Sequence, residues 1–324
     1  MRAVVLTEHG GPEVLTVAEV PDPTPGPDEV LVEVAATALN RADLLQRRGR
    51  YPGPPMDHEI PGMELSGRVV DRGERVSSWT VGDPVMGIVG GGAYAEKIAV
   101  HERQLVGTPT SVDLVDAAAI PEVFITAWDA LVRQGGLTSG RVALVHAGAS
   151  GVGTAAIQIA RAVGATVIVT ASTGKVDACR ALGADLAVDY TADDFVARVK
   201  EHTEGRGVDV VLDVVGGDYL ARNLDALAVG GTIVQVGVMA DAMATFPLGA
   251  LLPKRARLIG TVLRSRPIEE KIAVTQQFRR EVLPLFDSGA LAPVIDSRYP
   301  LEQIADAHRH MESNVNIGKI VVEL

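Results

Sequence analysis

Apolar residues fall along this chain in two textures. In the first third they form short β-branched runs, Val4-Val5-Leu6, Val14 to Val20 and Val30 to Ala36, cut by turn formers. Further runs at Glu64 to Asp71, Val85 to Val89 and Ala95 to Val100 are separated by Gly82-Asp83-Pro84 and Gly90-Gly91-Gly92. Short strands punctuated in this way predict a twisted, partly closed antiparallel barrel. The connector Pro21-Asp22-Pro23-Thr24-Pro25-Gly26-Pro27 is neither helix nor central strand, because its prolines lack the amide hydrogen that both need.

From about Ala117 strands and helices alternate. Arg141 to His146, Thr166 to Thr170, Val208 to Asp213 and Thr232 to Val238 read as apolar strands. Helices are expected from Val152 to Gly164, from Lys175 to Leu182 with Gly183 as the stop, and from Tyr219 to Leu227. In the first of these, Val152, Ala155, Ala156, Ile159, Ala160 and Val163 share one face. Continuous apolar strands between amphipathic helices predict a parallel sheet covered on both faces. Arg257 to Thr261 is expected at one sheet edge. The remaining pattern predicts a long helix from Glu269 to Ser288, a strand Val294 to Tyr299, a helix Leu301 to Met311 and a strand Lys319 to Glu323. At 324 residues the chain exceeds what one core supports. The expected division is a catalytic domain over 1–120, a nucleotide-binding domain over 121–262 and a return segment over 263–324 that completes the first.

The strongest local signal is Gly148-Ala149-Ser150-Gly151-Val152-Gly153, set between a strand and a helix. There the first helical amides can meet a pyrophosphate. Gly148 is expected to permit the tight turn and Gly153 the close helix packing, while Ser150 stands where the usual pattern has glycine. The tip of the second strand, Thr170-Ala171-Ser172-Thr173-Gly174-Lys175, carries hydroxyls and a lysine but no acid. An unphosphorylated ribose would lack its usual acceptor there, so the tip favours NADPH. Lys175 reads equally as a phosphate partner or as a solvated first-turn lysine.

Composition narrows the chemistry. A net charge of −11 argues against a nucleic-acid specialist, and the single cysteine, Cys179, excludes an intrachain disulfide and a four-cysteine zinc site. No apolar run is long enough to span a bilayer, and no signal peptide is evident, so the cytoplasm is the expected compartment. His58-Glu59 lacks the second histidine of a zinc helix, since Gly62 stands there. No metal is expected.

The stretches Ala38 to Leu44, Gly62-Met63-Glu64, Ala118-Ala119-Ile120-Pro121, His146 to Gly153 and Asn316 to Val321 together resemble the medium-chain dehydrogenase/reductase superfamily. Within it the chain resembles the zinc-free, zeta-crystallin-like quinone oxidoreductases, and Leu263-Arg264-Ser265-Arg266 resembles their stress-inducible branch. Zinc-dependent members carry Cys where Asn40 stands and His where Met63 stands. The resemblance implies an α/β fold, a doubly wound Rossmann sheet plus a GroES-like β-barrel catalytic domain, and a homodimer paired through the Arg257 to Thr261 edge. It also implies hydride transfer from NADPH to a quinone. Asn40 and Tyr51 would lie beside the nicotinamide with Asp43 behind them. Gly148, Ser150, Gly151, Val152 and Gly153 would meet the pyrophosphate. Ser172, Thr173, Lys175 and Tyr190 would hold the 2′-phosphate and adenine end, and Val236, Gly237, Val238 and Asn314 would pass close to the cofactor. Asn314 also suits a helix C-cap, Tyr190 a strand end, and Arg50 and Arg264 read as solvated charges. An enone or alkenal C=C reductase and a non-catalytic NADPH-binding protein remain as rival readings.

Overall fold

The computed structural model describes every residue from Met1 to Leu324. Its contacts divide the chain into two compact units, Met1–Ile125 with Arg264–Leu324, and Thr126–Leu263. In the first, β1 (Arg2–Leu6) and β2 (Leu15–Glu19) form an antiparallel ribbon. They are followed by β3 (Glu29–Ala38), the helix α1 (Arg41–Arg47), β4 (Glu64–Arg72), β5 (Pro84–Ile88), β6 (Lys97–His101) and β7 (Leu105–Gly107).

Strand β3 organises this unit. Its β-branched residues Val30, Val32 and Val34 alternate, so they point to one face, where they are buried with Leu65, Val69, Val85, Val100 and Leu105. One edge of β3 pairs with β4, and the other pairs with β6 along Glu29–Glu33. Beyond that point the same edge is left for the return segment. The short helix α1 was not foreseen, because two turns are too few to show a period. It starts where the Asn40 amide donates to the Asp43 carboxylate (2.8 Å), half of a capping box.

The helix α2 (Pro121–Trp128) leads toward the second unit, built from β8 (Val142–Val145), α3 (Gly151–Ala162), β9 (Thr166–Ala171), α4 (Val176–Ala181), β10 (Leu186–Asp189), α5 (Phe195–His202), β11 (Val208–Asp213), α6 (Tyr219–Ala226), β12 (Leu227–Gln235), α7 (Leu251–Lys254) and β13 (Arg257–Gly260). All neighbouring strands in its six-stranded sheet are parallel, in the order β10-β9-β8-β11-β12-β13. This is the doubly wound order 3-2-1-4-5-6, with β13 at the edge as expected. Strand β12 ends three residues earlier than the apolar run suggested, so Val236, Gly237 and Val238 lie in the following loop.

The return segment contributes α8 (Ile268–Glu281), α9 (Pro284–Asp287), β14 (Ile295–Pro300), α10 (Ile304–Glu312) and β15 (Lys319–Glu323). The single long helix expected over 269–288 is two helices. Pro284 has no amide hydrogen to continue the ladder and opens α9 at its first position, where none is needed. Strand β15 pairs with Ala36–Ala38 of β3, which fills the edge that β6 leaves open. The first sheet is therefore assembled from both ends of the chain.

Candidate functional site

In the second unit the candidate groups cluster at the carboxyl ends of the parallel strands, where ligands bind in such sheets. The turn from β8 into α3 carries them first. Its left-handed residue is Ala147 (φ 54°). A Cβ on Gly148 would lie 2.6 Å from Val169 Cβ on the neighbouring strand. A Cβ on Gly153 would come within 2.3 Å of the Ala147 carbonyl oxygen, so the start of α3 lies close against the turn. Ser150 caps α3, its Oγ accepting from the Gly153 amide at 3.0 Å. The hydroxyl hydrogen stays available, and the amides of Gly151 and Val152 have no partner within the chain. A helix N-terminus with open amides fits a pyrophosphate.

A buried network fixes the surrounding loops. The His146 Nδ1 lies 3.0 Å from the Thr170 hydroxyl and its Nε2 2.7 Å from Asn223 Oδ1. The Asn223 amide donates to Asp213 Oδ2, so its oxygen faces the histidine and the ring hydrogen sits on Nε2. Asp213 Oδ1 accepts from the amides of Val215 and Gly216, and the Asp213 carbonyl accepts from Val236 and Gly237. Burial lowers the His146 pKa and keeps the ring neutral. The loops after β11 and β12, including Val236 to Val238, thus hang from one set of buried polar groups. In the sequence His146 is visible only as part of the glycine-rich motif, and no spacing marks Asn223 or Asp213 as its partners.

Ser172 and Thr173 begin the single turn Thr173–Lys175 after β9. Tyr190 follows β10 directly and is 49% exposed. Strand β10 was not foreseen because Leu186-Ala187-Val188 is too short a run, and it brings Asp189 beside the tip of β9.

In the first unit the candidates form a second buried group. Lys319, 3% exposed, donates from Nζ to Glu64 Oε1 (2.7 Å), Asn40 Oδ1 (2.7 Å) and the Leu39 carbonyl (2.6 Å). Glu64 Oε2 accepts from the Glu122 amide. Asn40 Nδ2 uses its two hydrogens on Glu64 Oε1 (2.9 Å) and the Ala38 carbonyl (3.2 Å). Asn40 is therefore a hub inside the group, and its amide has no hydrogen left for a substrate. These residues do not fit a zinc ion: Asn40 and Met63 are poor ligands, and an ammonium already neutralises the Glu64 carboxylate. No three His, Cys, Asp or Glu side chains of the chain come together to hold a metal.

Asp43 is fully buried next to this group. Its Oδ2 accepts from the Asn40 amide and from the Tyr94 hydroxyl (3.0 Å), while Oδ1 has no partner. Tyr94 in turn meets His308 Nε2 at 3.3 Å, and Arg47 reaches His308 Nδ1 at 3.4 Å. Arginine only donates, so Nδ1 accepts, the ring hydrogen lies on Nε2, and every hydrogen bond points toward Asp43. Arg47 is anchored by the Gly10 carbonyl and by Glu312. Burial raises the Asp43 carboxyl to about 6, and burial with the nearby Arg47 charge lowers His308 to about 3.

Tyr51 is half-buried. The Arg264 guanidinium stacks 4.8 Å above its ring and donates to the Gly90 carbonyl (2.6 Å) and Gln46 Oε1 (2.7 Å). Arg264 is thus a packed strut, not the solvated charge expected, and no periodicity could have disclosed that. The Tyr51 hydroxyl has no partner within the chain, and burial raises its pKa, so it remains a proton donor. Asn314 takes the left-handed conformation (φ 57°) just past α10 and accepts from Arg41 at 2.7 Å, which is the C-cap alternative.

Two outcomes follow from the buried groups. Lys319→Met strands a buried carboxylate and should cost about 3–5 kcal/mol in urea unfolding, with Glu64→Gln in the same background restoring most of it. A loss under about 1 kcal/mol would show that the pair is not a structural requirement. The depressed His308 pKa contributes stability that is complete above about 6.5 and lost as pH falls toward about 3. The raised Asp43 pKa acts oppositely between about 4 and 6, over a smaller range. Replacing His308 by Gln, which can keep both hydrogen bonds, should remove ~3 kcal/mol of the stability lost between pH 6.5 and 4. An unchanged acid limb in denaturant titrations would refute this.

Comparisons with known proteins agree with this geometry. The alcohol dehydrogenase GroES-like domain family matches residues 26–110, and the zinc-binding dehydrogenase family matches residues 182–322. The quinone oxidoreductase of Lama guanicoe is 33% identical over 331 residues, covering 100% of this chain and 98% of its own. The synaptic vesicle membrane protein VAT-1 homolog of Rattus norvegicus is 34% identical over 340 residues, covering 99% of this chain and 84% of its own. The crystal structure of Escherichia coli quinone oxidoreductase complexed with NADPH superposes with a TM-score of 0.90 at 30% identity, covering 100% of both chains. The chain belongs to the medium-chain dehydrogenase/reductase superfamily, with a Rossmann-type sheet, a GroES-like domain and quinone oxidoreductases among its homologues.

Proposed function

We propose that this oxidoreductase is a zinc-independent NADPH:quinone reductase. The observation that carries the reading is the Lys319–Glu64–Asn40 group, which puts an ammonium and a committed amide where a Lewis-acidic metal would need ligands. A carbonyl reduced to an alkoxide needs strong charge stabilisation. A quinone needs less, because accepting a hydride on the ring system yields a stabilised phenolate. NADPH supplies the hydride when bound to the open amides of Gly151 and Val152. Positioning the acceptor is then the protein's main work, and one proton from solvent completes the hydroquinone. With the Asn40 amide engaged, Tyr51 is the remaining named donor, and the Arg264 stack holds its ring as a wall.

The test is oxidation of NADPH and NADH with ortho- and para-quinones and an enone in parallel, with and without a chelator. The expected result is chelator-insensitive quinone turnover that prefers NADPH. Enone reduction without quinone reduction would replace the reading with a C=C reductase, and tight NADPH binding without turnover would replace it with a binding protein. Tyr51→Phe should keep kcat within about tenfold, because a general acid contributes roughly 10²–10⁴-fold. A loss of about 10²-fold or more with unchanged NADPH affinity would make Tyr51 the proton donor instead.

A cytoplasmic homodimer belongs to the same reading. No helix is long and apolar enough to cross a membrane. The edge strand β13 exposes Leu258, and Met243, Leu248 and Leu252, which precede it in the chain, are 72–79% exposed, apolar surface that a second copy would cover. Sedimentation should give twice the 34.0 kDa chain mass, with Leu258→Asp weakening the pair. A monomer at micromolar concentration would remove this assignment.

A further inference from the structure

The segment 51–58 lies between α1, which Asn40 caps, and β4, which starts at Glu64. Both ends of this strap therefore lead to members of the buried Asn40–Glu64–Lys319 group. No backbone amide or carbonyl from Pro52 to His58 has a partner within the chain. Pro52, Pro54 and Pro55 have no amide hydrogen to offer, and their rings fix φ. Those three prolines, Met56, Asp57 and His58 are all exposed. A segment so sparsely bonded opens at low cost unless side chains hold it. Arg264 does so: beyond its stack on the Tyr51 ring, its Nη1 donates to the Tyr51 carbonyl at 3.4 Å. Its Nε and Nη2 tie the same group to Gly90 and to Gln46 Oε1. Gln46 is 1% exposed, and its Nε2 donates to Glu59 Oε1 at 3.1 Å, so its oxygen is held toward Arg264. Gly90-Gly91-Gly92 form the seat. A Cβ on Gly91 would lie 3.1 Å from Pro54 Cδ, and one on Gly92 would lie 3.0 Å from Met56 Cε. Gly53 fits against the arginine and glutamine themselves, since a Cβ there would lie 2.7 Å from Gln46 Nε2 and 3.1 Å from Arg264 Nη2.

We propose that the segment 51–58 is a gate beside the acceptor, latched by Arg264 and Gln46, and that the latch selects quinones by bulk. The proposal rests on the quinone reading above. Latched, the strap presents the Tyr51 ring as a fixed wall, which favours a small flat acceptor. Unlatched, it swings out on its unbonded backbone, so the wall is lost to a small quinone and a bulky one is admitted. Arg264 and Gln46 are positioning residues in this scheme, acting through the strap and taking no part in hydride transfer. The prolines and the glycine triplet, which the strand pattern left as mere punctuation, become the two faces of one closure.

The test uses the wild type, Arg264→Met and Gly53→Ala. The first substitution deletes the latch, and the second pushes a methyl against the flexible ends of Gln46 and Arg264 without changing a charge. Limited trypsin digestion, read by mass spectrometry at the Arg50–Tyr51 bond, reports opening of the strap with no substrate present. Steady-state reduction of a single-ring para-quinone and a three-ring ortho-quinone by NADPH reports selection. Both variants should be cut at that bond about tenfold faster than the wild type, with Tm little changed. The kcat/KM ratio of bulky to small quinone should rise about tenfold in both, with the change carried by KM. Unchanged cleavage in both variants would overturn the latch. An equal loss on both quinones, with the ratio unmoved, would leave Arg264 a structural strut and overturn the gate. A ratio that moves in Arg264→Met alone would assign the effect to the arginine charge and overturn the gate as well. A wild type that reduces neither quinone would overturn the quinone reading and the gate's part in it, while the cleavage rates still decide the latch.

Discussion

Glu64 has no contact with solvent, and the Lys319 ammonium is the only full charge in hydrogen-bonding contact with it. Most of the first unit is arranged to make that pairing possible. Strand β4 delivers Glu64, β15 delivers Lys319, and the end of β3 delivers Asn40, whose amide carries a hydrogen to one partner and an oxygen to the other. A buried ion pair is not in itself a large source of stability, because both charges have left water. Its force lies in what it forbids: no arrangement that separates β15 from β3 can keep the carboxylate satisfied. The pair therefore selects one topology, with Lys319, Glu64 and Asn40 bonded to one another.

Both units use a neutral histidine in the same way. His308 and His146 are each completely buried, and each has its tautomer set by a partner of fixed polarity, Arg47 in one case and the Asp213-oriented Asn223 in the other. Each then passes a directed hydrogen bond toward a buried acid. In the second unit the acid is Asp213, fully satisfied, and it holds loops rigid. In the first unit it is Asp43, with one oxygen unsatisfied and a carboxyl raised to about 6. A buried acid that titrates near neutrality beside the proposed site is a common feature of reactive centres.

Much of this was legible in the sequence because it depends on period and composition. The alternation of apolar strands with amphipathic helices disclosed the doubly wound sheet, and the short β-branched runs disclosed strands of the first unit. What was not legible depends on contacts between distant residues. Gly148 is needed because Val169 lies against it, Arg264 matters because Tyr51 lies beneath it, and Asp189 joins the rim only through the parallel pairing of β9 and β10. Likewise Asn40 has the residue type expected of an active-site amide, and only its bonding partners reveal that both hydrogens are spent.

The separation of 255 positions between Glu64 and Lys319 carries a consequence for biosynthesis. The second unit is one continuous stretch, 126–263, so it can fold as soon as it clears the ribosome. The first unit cannot finish until residue 319 emerges, and until then β3 keeps an unpaired edge and Glu64 has no countercharge to be buried against. Its amino-terminal half spends most of translation waiting, with Val4, Leu6, Leu39 and Leu44 uncovered until Leu301, Ile304, Met311 and Ile320 arrive, and a nonsense mutation ahead of Lys319 would leave the Glu64 carboxylate without its countercharge permanently.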